Sequence, residues 1–247
     1  MAHKRVEIII PVCNKCEYTQ KILEDIFKYT DPNLEWGVTI VDNGSTDATA
    51  NMKCLQWDRV KYLKLDKNYG FGTACNDGAK LHKDKACHLL FLNNDVRLPD
   101  RWLNRLLAVL KEPTIGIVGP FTNHAASQQK INLLDHERWR ELDSTLEKTS
   151  KHLYSIVPVI TGFCMLVREE CWRQIGLFDD DVFLLSGEDF DLCIRARRKG
   201  WNVVTADGVF VYHYGHVTAK DLPNEGKDYW RAGADGLRKK YGPAFLK

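Results

Sequence analysis

Residues 87–95 read Cys87-His88-Leu89-Leu90-Phe91-Leu92-Asn93-Asn94-Asp95, a largely apolar run that stops abruptly at two amides and a carboxylate. A buried strand that delivers such groups to its carboxyl end marks the place where ligands sit in open α/β sheets. The pattern recurs upstream, where Val38-Thr39-Ile40-Val41 runs into Asp42-Asn43-Gly44-Ser45-Thr46-Asp47. Either aspartate alone fits a turn cap, but two strand ends of the same design favour a ligand crevice. One carboxylate together with substrate phosphates is an arrangement that suits a hydrated divalent cation such as Mg²⁺.

Around these two ends, β-rich runs alternate with amphipathic stretches. Val6 to Val12 reads as a strand and Tyr18 to Tyr29 as a helix, with Ile22, Leu23, Ile26 and Phe27 on one face. Gly37 to Val41 is a strand, Thr46 to Leu55 a helix with Asp47 in its first turn, Val60 to Leu65 a strand and Gly72 to Leu81 a helix. His88 to Leu92, a helix from Arg101 to Leu110 after Pro99, and a strand from Ile115 to Val118 follow. Strands alternating with helices predict an α/β fold with a mostly parallel sheet and right-handed crossovers. The second half is less regular. It reads as a helix from Asp135 to Lys148, a bent or paired strand from Val157 to Val167 broken at Gly162, and a helix from Glu188 to Arg198. Strands from Asn202 to Thr205 and Val209 to Tyr212 come next, then a charged tail beyond Lys220 that reads as a loosely docked helix. The polar, glycine-free stretch from Phe121 to Ser155 is expected to be weakly packed and mobile on the acceptor side.

A length of 247 residues fits one large domain, and 44% hydrophobic with 28% charged residues is the balance of a globular protein with material for a core. A net charge of +2 gives no electrostatic reason to expect nucleic acid as partner. Glu7 and Pro11 cut the first apolar stretch too short for a signal peptide or a membrane-spanning helix. The eight cysteines fall inside strand-like or helical patterns, so a reducing cytoplasm is the simplest location. Cys13-Asn14-Lys15-Cys16 has the spacing of a dithiol or half a zinc site, but no second such pair follows. Cys13 is read as the first loop residue after a strand.

Three further constellations could carry chemistry. Asn68-Tyr69-Gly70-Phe71-Gly72 lies between a strand and its helix, where glycines permit close approach to a phosphate or sugar and equally suit a plain turn. It is not a dinucleotide fingerprint, because the first strand is followed by Val12-Cys13-Asn14-Lys15 without glycine. Ser186-Gly187-Glu188-Asp189-Phe190-Asp191 places three carboxylates at a helix start. They either complement the dipole or include a base able to take a proton from an attacking hydroxyl. Tyr212-His213-Tyr214-Gly215-His216 ends the last strand, and its histidines suit a metal or phosphate contact.

Taken in chain order, seven segments resemble the inverting GT-A-fold enzymes of glycosyltransferase family 2. They are Ile10-Pro11-Val12, Asp42 to Asp47 after Val41, Asn68 to Gly78, Leu92 to Asp95, Thr161 to Arg168, Gly187 to Leu192, and His213 with Gly215. The resemblance spans roughly residues 5 to 218 and is nearest to the bacterial branch that adds rhamnose or similar sugars to surface polysaccharides. It implies a Rossmann-like GT-A fold with a nucleotide-sugar-binding half (5–118), a smaller acceptor-side and catalytic half (119–218) and a tail (219–247). Donor contacts are implied for Pro11, Val12, Asp42, Asn68, Gly70, Asn94 and Asp95. Asp42 would meet the nucleobase and Asn94 the ribose. Asp95 and His213 would hold Mg²⁺ or Mn²⁺, with His216 in reserve. Asp189 is implied as the catalytic base, and Gly162 and Glu188 as acceptor-side residues.

The implied reaction moves a sugar from a UDP- or dTDP-linked donor to a hydroxyl of a saccharide or glycoconjugate. A lipid-linked acceptor would require peripheral contact with the inner face of a membrane. Two features depart from the family pattern: Asn93 replaces the first aspartate of a strict DxD, and Cys13 stands where many relatives carry tyrosine. A non-catalytic sugar-nucleotide-binding protein and an oxidoreductase on a doubly wound sheet are the alternatives.

Overall fold

A computed structural model describes residues 4–133, 135–180, 186–215, 217 and 227–243. His216 and residues 218–226 of the tail lie outside the described residues.

The chain runs through strands β1 (Arg5–Val12), β2 (Trp36–Asn43), β3 (Val60–Leu65), β4 (Cys87–Leu92), β5 (Val96–Arg97), β6 (Ile115–Phe121), β7 (Tyr154–Ile156), β8 (Cys164–Val167), β9 (Asn202–Phe210) and β10 (Tyr212–His213). Its helices are α1 (Cys16–Tyr29), α2 (Phe71–Lys80), α3 (Trp102–Val109), α4 (Trp139–Thr149), α5 (Glu169–Ile175), α6 (Glu188–Arg198) and α7 (Lys227–Tyr241). One eight-stranded sheet has the order β3-β2-β1-β4-β8-β6-β9-β7, and β10 pairs with β5 in a separate two-stranded ribbon. The pairs β1–β2, β1–β4, β2–β3 and β6–β9 are parallel. Strand β8 runs antiparallel between β4 and β6, and β7 antiparallel to β9. The expected α/β architecture with a mostly parallel sheet is therefore the one formed.

Period-2 alternation builds a core on both sheet faces. Val6, Ile8, Ile10 and Val12 of β1 join Ile22, Leu23 and Ile26 of α1 and Trp102, Leu103 and Leu106 of α3. Ile9 turns the other way, to Ala74 and Cys75 of α2 and Leu192, Cys193 and Ala196 of α6. Covered on both faces, the strands read as continuous apolar runs rather than alternating ones.

Four expectations need correction. Thr46 to Leu55 is not an α-helix but two 3₁₀ turns, Ala48–Asn51 and Lys53–Gln56, parted by extended Met52. Asp47 accepts from both Thr49 N–H and Thr49 Oγ1, the local side-chain bonding that competes with helix propagation. The Val157–Val167 run is strand only from Cys164, because Pro158 lacks the donor a sheet ladder needs. The two C-terminal strands are one, β9, with a register shift opposite Pro120 and Phe121. Helix α5 has no counterpart in the sequence reading. The tail helix is not loose: Leu237 of α7 is buried against Ile194, and Asp191 accepts from Lys240 Nζ (2.7 Å) and the Tyr241 hydroxyl. None of the eight cysteines is in a disulfide, and Cys13 lies immediately after β1 as expected.

Candidate active site

The parallel strands β1, β2 and β4 end side by side, and the loops beyond β1, β2 and β3 are tied into one rim. Asn14 leaves β1 in the left-handed region (φ 59°); its N–H donates to Ser45 Oγ (2.8 Å), and its Oδ1 accepts from Thr46 N–H (2.8 Å) and Asp47 N–H (3.2 Å). Asp47 returns the bond by accepting from Cys16 N–H at the start of α1 (3.0 Å). Beyond β2, Asn43 Nδ2 donates to Asn68 Oδ1 (2.9 Å) and the Gly70 carbonyl (3.0 Å), and its Oδ1 accepts from Tyr69 N–H (2.9 Å). Asn68 Oδ1 also accepts from Gly70 N–H (2.9 Å), which fixes the turn into α2. Gly44 makes this possible: at φ +78° a Cβ would lie 2.5 Å from the Lys67 carbonyl carbon. Asn14 and Asn43, which carried no assigned role in the sequence reading, are the two brackets of the rim. An amide that bridges two loops has no one-dimensional signature.

Asp42, for which the resemblance implied a nucleobase contact, stands at the end of β2 beside Val12. It is fully buried, with Oδ1 accepting from Ser45 N–H (2.7 Å) and Oδ2 from the Tyr62 hydroxyl. Burial and the Asp42 carboxylate together push the Tyr62 phenol well above its ordinary value. Asp42 thus orders the loop from beneath, and a nucleobase N–H would have to take over one of its two bonds to meet it. Val12 is buried and Pro11 half-buried at the end of β1.

The Leu92-Asn93-Asn94-Asp95 segment meets the last strand from far along the chain. Because β10 pairs antiparallel with β5, with His213 opposite Val96, His213 Nε2 stands 3.2 Å from Asp95 Oδ1. The ring's other nitrogen, Nδ1, faces the His124 carbonyl at 3.0 Å and donates to it, which points the Nε2 edge at Asp95. Phe163 stacks on the imidazole (centroids 5.2 Å apart, planes at 19°). Burial alone would lower the His213 pKa, but Asp95 more than offsets it and the value lies above the ordinary one. Burial likewise raises the Asp95 carboxyl, yet His213 outweighs it and holds the group below the usual range. Asn94 Nδ2 is committed to Thr19 Oγ1 of α1 (3.1 Å).

The donor set fits a hard divalent ion that brings its remaining oxygens from phosphate and water. Asp95 supplies the charge and His213 one imidazole. No group of three or more His, Cys, Asp or Glu able to hold a metal exists among the described residues, so a self-sufficient protein cage is absent there.

The third constellation adjoins this one through consecutive residues. Asn93 N–H donates to the Phe163 carbonyl (2.8 Å), and the preceding Gly162 N–H donates to Asp189 Oδ2 (2.9 Å). Asp189 Oδ1 accepts from its neighbour Phe190 N–H (2.8 Å). A Cβ on Gly162 would sit 3.3 Å from Asp189 Cβ, so glycine is the residue that lets the two approach. Burial raises the Asp189 pKa, while the two N–H donors pull it back. Glu188 turns away from this pair: its Cγ lies 3.7 Å from where Gly72 of α2 would carry a Cβ. That places it against the start of α2, beside the Asn68–Gly72 turn. Its Oε2 is buried with no hydrogen-bond partner among the described residues, and burial, reinforced by Asp189, pushes its pKa up to about 8.

A parallel-sheet crevice, a carboxylate–imidazole pair and a carboxylate held by backbone N–H groups lie together at the strand ends, where α/β folds bind ligands. Residues 7–176 match the family model Glycosyl transferase family 2, and the chain belongs to that family. Asp189 and His213 lie beyond the matched stretch. The chain is 26% identical over 239 residues to O-antigen biosynthesis protein RfbC of Myxococcus xanthus, covering 92% of this chain and 18% of that protein. It is 26% identical over 216 residues to glycosyltransferase AglE of Haloferax volcanii, covering 84% of this chain and 66% of AglE. The N-acetylglucosaminyl-diphospho-decaprenol L-rhamnosyltransferase of Mycobacterium tuberculosis is 26% identical over 211 residues, covering 74% and 68%. The first two alignments thus span less than two thirds of the relatives' own length. Among solved structures, GalNAc-T7 with UDP, GalNAc and Mn²⁺ superposes with a TM-score of 0.67 at 16% identity, over 85% of this chain and 44% of that one. The mannosyltransferase PcManGT of Pyrobaculum calidifontis with GDP-Man and Mn²⁺ gives 0.64 at 18% identity, over 100% and 73%. These likenesses establish the GT-A architecture.

Proposed function

We propose that this chain transfers a sugar, with inversion, from a nucleotide-diphosphate donor to an acceptor hydroxyl in polysaccharide or glycoconjugate synthesis. The observation that carries the reading is the continuity of Asp95–His213 with Gly162–Asp189 through Asn93 and Phe163. The donor lies across the ends of β1, β2 and β4, over the rim built by Asn14, Asn43, Asn68 and Gly70. Residues 5–118 form the donor half and 119–218 the acceptor and catalytic half. UDP or dTDP is the favoured nucleotide.

Asp95 and His213 hold Mg²⁺ or Mn²⁺, which when bound supplies Lewis-acid stabilisation of the departing diphosphate. The Gly162 and Phe190 N–H groups hold the Asp189 carboxylate in place. Its Oδ atoms take the proton of the acceptor hydroxyl as that oxygen attacks the anomeric carbon. Displacement at that carbon breaks the bond to the diphosphate oxygen and inverts the configuration. No helix among the described residues is long and apolar enough to cross a membrane. Access to a lipid-linked acceptor would therefore be peripheral for this part of the chain.

A thermal-shift screen of nucleoside diphosphates with and without Mn²⁺ tests the proposal. A ligand at a hundred times its dissociation constant adds about 2.7 kcal/mol. Stabilisation by UDP or dTDP that depends on Mn²⁺ supports the reading. Tight GDP or ADP binding without UDP or dTDP binding overturns the nucleobase assignment. A nicotinamide response with no response to nucleoside diphosphates would restore the oxidoreductase alternative.

A further inference from the structure

The stretch that follows β6 is closed on itself. Thr122 N–H donates to the Gln129 carbonyl (2.9 Å) and Ile131 N–H to the Thr122 carbonyl (2.8 Å). Thr122 and Gln129 are fully buried, so this part of the segment expected to be weakly packed is anchored instead.

Each end of the loop reaches a different half of the site. At the first, Asn123 makes two bonds to one residue: Nδ2 donates to the His213 carbonyl (2.9 Å), and Oδ1 accepts from His213 N–H (2.9 Å). The next residue gives its carbonyl to His213 Nδ1. Gly215 leaves room for this, since a Cβ there would be 2.6 Å from the His124 ring. Residues 123 and 124 thus brace the backbone of His213 and fix the proton on Nδ1, while Phe163 stacks on the ring. At the second end, Gln129 Nε2 donates to the Pro120 carbonyl (2.8 Å), and its Oε1 accepts from Ser127 Oγ (2.9 Å) and Thr161 N–H (2.6 Å). Thr161 immediately precedes Gly162, whose N–H holds Asp189.

We propose that the closed loop 122–131 is the gauge that sets the metal-binding imidazole and the catalytic carboxylate relative to one another, with Asn123 and Gln129 as positioning residues for the two. This rests on the roles proposed above for His213 and Asp189. The two anchors leave one closed loop for different residues, His213 and Thr161, and act on different steps, so they are separable. Asn123 governs metal and donor binding, and Gln129 governs the placement of the base.

The test measures Mn²⁺ affinity in the presence of UDP, by the paramagnetic signal of free Mn²⁺, alongside steady-state kinetics. Asn123→Ala should weaken Mn²⁺ about ten- to a hundredfold, the usual effect of removing a residue that orients a metal-binding histidine. Asn123→Asp, which keeps the acceptor for His213 N–H, should recover part of that loss. Gln129→Met should leave Mn²⁺–UDP affinity and the donor KM at parental values while kcat falls toward the roughly hundredfold cost of an ångström-scale misplacement. Ser127→Ala, a smaller change at the same oxygen, gives a weaker effect of the same kind and carries this arm if Gln129→Met does not fold. Folded Asn123→Ala with parental Mn²⁺ affinity, or folded Gln129 and Ser127 variants with parental kcat, overturns the gauge. Asp95→Ala and Asp189→Asn run in parallel: if these retain parental binding and turnover, it is the assignment of the site that fails.

Discussion

Asp95 Oδ1 and His213 Nε2 lie 3.2 Å apart although 118 residues separate them in the chain. With Nδ1 donating to the His124 carbonyl, the Nε2 edge is the one turned to Asp95. If the pair holds a divalent ion as proposed, any proton they share would leave on binding, so metal affinity would rise with pH.

Asp95→Ala should abolish the Mn²⁺-dependent part of nucleotide binding, because it removes the carboxylate of the pair. His213→Ala should weaken it less, since a neutral ligand contributes no charge. Chelation by EDTA should reproduce the Asp95→Ala result in the parent protein. Calorimetry of UDP with and without Mn²⁺ measures all three, and unchanged binding by Asp95→Ala would place the metal elsewhere.

Asp189→Asn should preserve donor binding while turnover falls by about 10²–10⁴-fold, the usual contribution of a positioned base. The pattern is that of an interaction made chiefly in the transition state. Sugar transfer is the assay, and near-parental transfer by a folded Asp189→Asn protein would remove the mechanism.

Gly162→Ala probes the same carboxylate sterically. Its Cβ would arrive 3.3 Å from Asp189 Cβ, a contact relieved by a shift of a few tenths of an ångström. Turnover should fall by less than the roughly 10²-fold attached to a 1 Å misplacement, with UDP–Mn²⁺ affinity unchanged. Equal losses in kcat and nucleotide affinity would argue against a contact confined to the base.

Glu188 makes a pH prediction. Its pKa rises from 4.5 to about 8 in the folded protein, through burial first and then Asp189. Between those values the folded state keeps a proton that the unfolded state has lost, so stability falls as pH rises, by at most about 1.4 kcal/mol per pH unit. His88, lowered from 6.5 to about 4 by burial and then Arg168, acts in the opposite sense below pH 6.5. Between pH 6.5 and 8 Glu188 acts in the same sense as His213, whose pKa also lies above its ordinary value, so in urea unfolding Glu188→Gln should reduce the slope there without abolishing it. An unchanged slope would place the titrating group elsewhere.

The docking of α7 is testable through Asp191, which is fully buried and accepts from Arg195 Nε (2.7 Å), Lys240 Nζ (2.7 Å) and the Tyr241 hydroxyl. Tyr241→Phe should cost about 1–3 kcal/mol by removing one donor from a buried carboxylate. Equilibrium denaturation reads this directly. A change below a few tenths of a kcal/mol would mean that the Tyr241 hydroxyl adds nothing to the docking of α7.

Much of this molecule was legible along the chain. The apolar runs at residues 6–12, 38–41 and 87–92 specify strands because local hydrophobic pattern and β-branched content act residue by residue. The polar residues that end them could be identified as a site for the same reason, since chain order alone places Asp42 and Asp95 at strand ends. The boundaries of α6 emerged as read, from Glu188 to Arg198. Local chemistry not weighed in that reading upset the intervening pieces: the Asp47–Thr49 bonds broke a helix, and Pro158 ended a strand. What only the tertiary structure decided is which groups meet. His213 reaches Asp95 because β10 leaves the sheet to pair with β5, and Asp42 turns inward because Tyr62 and Ser45 satisfy it there. Asn123 and Gln129 acquire their roles only when a closed loop sets them against residues 90 and 32 positions away. Secondary structure follows from periodicities the chain carries within a few residues. A hydrogen bond between distant amides depends on the packing of every element between them, and no local pattern encodes it.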